Sequence, residues 1–245
     1  MTTTYRAAPI ARLPAYKQVA DSIEADILAG RLQPGDGLPT EGEMATQFGV
    51  TRSTVREGVR MLEQTGMVER GGAKRLIVAR PRASEMAQAT SRGLAVAGVT
   101  FGEVWEVLVI NFPQAAKLAA GRMDKAALAD LEAVTAELET VADKDHDAIV
   151  RLAMQYLEGV ARGVQNRFMF MTLVSLNNLI GASLSRVIAR APEARARIIE
   201  AQREISAALA AGDAKSAKTW MRKHIDDLKR GYEIAGVAVD TPVSV

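Results

Sequence analysis

The sequence predicts a mostly α-helical protein in two parts: a small N-terminal winged helix-turn-helix with one β-hairpin, then an all-α bundle of six or seven helices. Three observations carry that prediction. The first eighty residues are dense in glycine and proline, which divide them into short pieces. Beyond the Arg80-Pro81-Arg82-Ala83-Ser84 stretch the chain changes to long, Ala-rich segments with few breakers. Within the first part, apolar residues recur at helical spacing three times before two short apolar runs close it. The expected division is therefore 1–80 as a winged helix-turn-helix domain, 81–84 as linker, and 85–245 as an all-helical domain.

Taken in order, the first helix follows Pro14 and lines up Tyr16, Val19, Ile23 and Ile27 before Gly30 stops it. Leu32-Gln33-Pro34-Gly35 reads as a turn. Thr40-Glu41-Gly42-Glu43 has the T-x-x-E form of a capping box, so a short helix opens there, turns Met44 and Phe48 inward, and ends at Gly49. A third helix starts near Thr51 and buries Val55, Val59 and Leu62. After Gly66, Met67–Arg70 and Leu76–Val78 are strand candidates joined by Gly71-Gly72-Ala73-Lys74-Arg75. In the second part, helices are expected over 84–97, 101–122, 125–141, 146–164, 167–190, 193–211 and 214–233. Asp145 and Asn166 serve as N-caps and Gly212-Asp213 as a break.

Composition removes several function classes. Of 245 residues none is Cys and two are His, which excludes disulfides, thiolate metal sites, cysteine nucleophiles and a His-rich cluster. No run approaches the roughly 18 apolar residues of a membrane span, and a cytoplasmic protein without a membrane partner is expected. The sequence lacks a G-x-S-x-G elbow, an H-E-x-x-H pair and a P-loop, so an enzyme is not expected. Net charge is +2 overall, but unevenly spread, with 12 basic against 9 acidic residues up to Arg82 and 19 against 20 beyond it.

The third helix carries the chemistry. Arg52, Arg56 and Arg60 recur every four residues and so lie within about 80° of one another, away from the apolar stripe. Thr51, Ser53 and Thr54 add hydroxyls to the first turn. In a helix-turn-helix that turn enters the major groove, where Arg bonds guanine bidentately and hydroxyls reach base edges or phosphates. Gly72, Lys74 and Arg75 place a basic, close-approaching hairpin beside it. Taken alone, the arginines also fit a solvated face with Glu57 and Glu63 as partners. The helix before and the hairpin after favour double-stranded DNA.

The residues Leu38-Pro39-Thr40-Glu41, Phe48-Gly49-Val50-Thr51-Arg52-Ser53-Thr54-Val55-Arg56-Glu57, Leu62-Glu63 and Gly66-Met67-Val68 resemble the N-terminal signature of GntR-type bacterial transcription regulators. The resemblance covers roughly 14–80. It implies a winged-helix homodimer on a short pseudo-palindromic operator, with Arg52 and Arg56 as recognition arginines. By the same resemblance Thr54 contacts a phosphate or base, and the Gly72 region is a wing for the minor groove. The family usually has Arg after the Glu of its L-P-S-E-R segment. Here that position is Gly42, so an operator departing from the common family sequence is expected.

Val107-Leu108, Pro113 to Ala120, Asn166, and Ala210-Ala211-Gly212-Asp213-Ala214 with His224 resemble the effector domain of the FadR branch of that family. Many members hold a divalent metal there through one Asp and three His, and the metal holds a carboxylate effector. By that resemblance the Asp position falls on Ala153, the His positions on Leu157, Gln202 and His224, an Arg position on Leu108 and a Glu position on Phe112. No metal and no cofactor are expected, since zinc wants about four N, S or O ligands. The same exchange of polar for apolar residues implies a small apolar effector, such as an acyl-CoA or related hydrophobic metabolite, with repression as the default sign. Two alternatives stay open: a carboxylate effector, or a bundle whose Leu108, Phe112 and Leu157 simply pack and take no ligand.

Overall fold

A computed structural model describes residues 13–72, 75–80 and 83–243. The chain divides into two compact units between residues 82 and 83. Among the described residues there are ten α-helices and one antiparallel hairpin: α1 (Ala15–Leu28), α2 (Glu41–Phe48), α3 (Arg52–Gln64), β1 (Val68–Arg70), β2 (Leu76–Val78), α4 (Ala83–Val96), α5 (Phe101–Ala119), α6 (Lys125–Thr140), α7 (His146–Gly163), α8 (Arg167–Arg190), α9 (Ala194–Ala210) and α10 (Ala214–Ile234). The first unit is a winged helix and the second a helical bundle. Because α4 starts at Ala83, the segment expected as linker is helical from that residue on; 81 and 82 lie outside the described residues. No single described helix is long and apolar enough to cross a membrane.

In the first unit, Val19, Ile23, Leu38, Met44, Val55, Val59, Leu62, Val68, Leu76 and Val78 share one core. α1 lies directly on α3 at Gly58, where a β-carbon would stand 2.7 Å from the Tyr16 carbonyl oxygen. Any side chain there pushes the two backbones apart. The Thr40 hydroxyl accepts from the Glu43 N–H, and the Glu43 carboxylate accepts from the Thr40 N–H at 2.7 Å, completing the capping box of α2. Met44 and Ala45 are the buried residues of that helix. Phe48 is not: it is 37% exposed, because it ends an eight-residue helix that covers the core with its middle. β1 pairs with β2 in the register Val68↔Val78, Glu69↔Ile77, Arg70↔Leu76. On its other edge β2 takes the Leu38 N–H and gives the Val78 N–H to Asp36, so the chain entering α2 is stitched to the hairpin.

In the second unit, α10 packs on α5 and α9, α7 on α6 and α8, and α4 on α8. The stripe Ile149, Ala153, Tyr156, Val160 and Val164 is buried along α7. Asp145, Asn166 and Asp213 cap α7, α8 and α10 through their carboxylate or amide oxygens. Thr100 and Glu103 form a second capping box, at α5. The segment after α10 returns to this point: Gly102 donates to the Val239 carbonyl, Phe101 to that of Thr241, and Val243 to that of Val99. Phe101 stacks on Tyr232 with ring centres 3.5 Å apart.

Candidate functional site

Two places carry chemistry, one in each unit. In the first, Thr51 caps α3 and its hydroxyl accepts from the Thr54 N–H at 3.2 Å. The same oxygen is 2.8 Å from the Ser53 hydroxyl and 2.9 Å from that of Thr54. The first turn therefore presents a linked trio of hydroxyls above the helix N-terminus, a place that favours a phosphate. Val55 and Val59 are fully buried, while Arg52, Arg56 and Arg60 face solvent. Packing on one side of α3 and guanidinium groups on the other is what a groove-reading helix needs.

Arg52, Arg56, Arg70 and Arg75 line one shallow basin with Glu41 and Gly42. Glu41 organises it. Its Oε2 accepts from Arg56 Nε at 3.1 Å and Nη2 at 2.9 Å, and its Oε1 lies 3.9 Å from Arg70 Nη2. Arg70 also reaches Glu63 at 3.1 Å, and Arg60 reaches Glu57 at 3.5 Å. Thus α3 and β1 are tied through one carboxylate from α2. Of the residues expected at DNA, Thr51, Arg52, Ser53, Thr54 and Arg56 share the start of α3, and Arg75 joins them across the basin. Gly72 sits exposed in the hairpin turn, its carbonyl accepting from the Arg75 N–H. Lys74 lies outside the described residues. Sequence reasoning missed Glu41 as a partner; its place after the Thr40 cap gave only a helix-start signal.

In the second unit, a cavity of about 300 Å³ opens among α7, α8, α9 and α10. Ala153, Met154, Leu157, Leu184, Val187, Ile188, Ile198 and Ile225 form much of its wall. Arg197 and Asp227 also line it and are paired with each other, Nε to Oδ2 at 3.1 Å. Of the six residues expected around an effector, Ala153, Leu157 and His224 line this cavity. Leu108, Phe112 and Gln202 do not. Leu108 and Phe112 are fully buried in the packed core on α5. Gln202 turns toward α6, where its Oε1 accepts from the Thr135 hydroxyl at 3.1 Å, and its backbone carbonyl accepts from the Tyr156 hydroxyl at 2.9 Å.

The residues at the four metal-ligand positions do not fit a metal. Ala153 and Leu157 have no donor atom, Gln202 faces Thr135, and His224 alone brings a nitrogen. Among the described residues no group of three or more His, Asp or Glu is placed to hold one. His224 is buried, and loss of water pushes its pKa down to about 4, with Asp227 partly opposing. The imidazole is neutral at ordinary pH.

Residues 15–78 match the gntR family of bacterial regulatory proteins, and residues 113–227 match the FCD domain. The chain thus carries a GntR-family helix-turn-helix domain followed by an FCD domain, a composition compatible with the FadR-like branch. It is similar to the mannosyl-D-glycerate transport/metabolism system repressor MngR of Escherichia coli, 48% identical over 56 residues, which are 23% of this chain and 23% of that protein. It is also similar to the arabinose metabolism transcriptional repressor of Geobacillus stearothermophilus, 33% identical over 34% of this chain and 22% of that one. The chain thus spans about a quarter of the length of these relatives. An uncharacterized HTH-type transcriptional regulator of Mycobacterium tuberculosis, Rv0494, is 25% identical over 86% of both chains. Among solved structures, a GntR protein of Streptococcus agalactiae shares the fold with a TM-score of 0.61, at 23% identity over 88% of this chain and 99% of that one.

Proposed function

We propose that the protein is a sequence-specific DNA-binding transcription regulator of the GntR type, acting as a repressor. Two copies form a homodimer, and the two α3 helices read half-sites of a pseudo-palindromic operator in successive major grooves. Arg52 and Arg56 take base edges, Thr51, Ser53 and Thr54 take phosphates or bases, and the Gly72–Arg75 turn, Lys74 included, follows the backbone or minor groove. The observation that carries this reading is the sidedness of α3: its valines are wholly buried and its three arginines stand in solvent, Arg52 and Arg56 beside Arg70 and Arg75.

The bundle is the effector domain in this reading, and the effector is a small apolar molecule such as an acyl-CoA or a related hydrophobic metabolite. Support comes from the aliphatic wall of the α7–α10 cavity, and from the FCD match over the same helices. A ligand that binds better in the conformation that leaves DNA lowers operator affinity by its differential binding energy and no more.

The test is titration of a labelled duplex from the protein's own upstream region, at several salt concentrations. Log affinity should fall linearly with log salt, and the protein should prefer that duplex over a scrambled one. Equal, salt-insensitive binding to both would sink the proposal.

A further inference from the structure

We propose that the α7–α10 cavity takes an uncharged, largely apolar molecule bearing one hydroxyl or carbonyl group, which hydrogen-bonds to the imidazole of His224. This rests on the effector reading above and narrows it to a chemical class.

The cavity has a closed end and an open one. Ala153 and Leu157 at 2% exposure and His224 at 8% mark the closed end, whereas Ile234 at 58% marks the rim. A guest entering past Ile234 therefore meets aliphatic wall first and the imidazole last. His224 has no hydrogen-bond partner within the protein among the described residues, although its ring brings one donor and one acceptor in the neutral form. Buried polar groups are normally partnered, so this ring, on the cavity wall, is a polar group left for a guest to satisfy. Its protonation in that dry setting is opposed, which removes the cation a carboxylate would want. Of the cavity's other cations, Arg197 is engaged by Asp227 and Arg230 stands exposed to solvent, so an anion beside His224 at the closed end would be stripped of water with no counter-charge to meet it. A hydroxyl or carbonyl needs none. The volume of about 300 Å³ lies at the low end of ligand pockets, which run roughly 300–1,000 Å³. That suits a chain of moderate length or a one- or two-ring skeleton.

The experiment compares 1-octanol, 2-octanone and octanoate on the full chain at pH 7.5 by calorimetric titration. In parallel, the imidazole signals of His224 are followed by NMR; only His146 shares that spectrum, and His146→Gln assigns it. The alcohol and the ketone should bind at least fivefold more tightly than octanoate and shift the His224 signals. His224→Leu should erase the preference for the alcohol, while a circular dichroism spectrum matching the wild type shows that the fold is kept. Octanoate binding as tightly as octanol, or octanol binding with His224 signals unmoved, overturns the assignment of the imidazole yet leaves an apolar cavity standing. No binding of any of the three, with operator binding intact, overturns the cavity as an effector site.

Discussion

The guanidinium of Arg52 lies across Gly42: a β-carbon on Gly42 would stand 3.2 Å from Arg52 Nη2 and 3.4 Å from its Cζ. Gly42 is inside α2 and is not one of the glycines with positive φ, so the backbone does not require glycine there. In a helix glycine costs about 1 kcal/mol against Ala. What the missing side chain provides is room for Arg52 to settle beside Arg56. Gly42→Arg, which restores the residue usual in the GntR family, should displace Arg52 and change the preferred base at one or more half-site positions. Sequencing the duplexes each protein selects from a random pool checks this. Identical preferences would show that the contact has no part in specificity.

Glu41 holds Arg56 in place but also neutralises part of its charge and that of Arg70. Glu41→Gln should raise affinity for random duplex and steepen the log–log salt dependence by about 0.9 for each further phosphate engaged. Preference for the operator should drop in the same variant. Arg56→Ala should cost about 1–3 kcal/mol on the operator if Arg56 reads a base. Fluorescence anisotropy at three salt concentrations measures each of these quantities.

The depressed pKa of His224 gives acid sensitivity with a definite sign. Unfolded, the ring takes up its proton near the ordinary 6.5; folded, only near 4. Between those values the unfolded chain binds more protons, so stability falls as pH drops from about 6.5 to 4, and is constant in this respect above 6.5. The gap corresponds to about 3 kcal/mol. Chemical denaturation across that window should show a steeper loss in the wild type than in His224→Leu. Parallel curves would mean that the ring is hydrated in solution.

Gly58→Ala tests the seam between α1 and α3. The new methyl group meets a backbone oxygen at 2.7 Å rather than a movable side chain, so the helices must separate. A loss of about 1–3 kcal/mol is expected, read from urea unfolding and accompanied by weaker DNA binding.

Much of this was written plainly in the chain. Capping residues and helical periodicity located α2, α3 and the seven bundle helices closely, since Thr40, Thr51, Asp145, Asn166 and Asp213 each satisfy N–H groups within their own helix. What periodicity does not reveal is what an inward face meets. Leu108 and Leu157 follow the same rule of burial and share one core, yet Leu157 also borders the cavity and Leu108 does not. Phe48 shares the Met44 side of α2 but lies at its end. The Glu41 bond to Arg56 joins residues of two helices across a turn, and no local spacing announces such a partner.

The return of residues 239–243 to the start of α5 sets an order on assembly. Backbone donors in the first turn of α5 are satisfied by carbonyls that follow α10 in the chain. During synthesis, then, the second helix of the bundle is among the first to emerge and among the last to be finished. Until α10 and those residues arrive, Phe101 lacks its stacking partner Tyr232 and the first N–H groups of its helix lack these carbonyls.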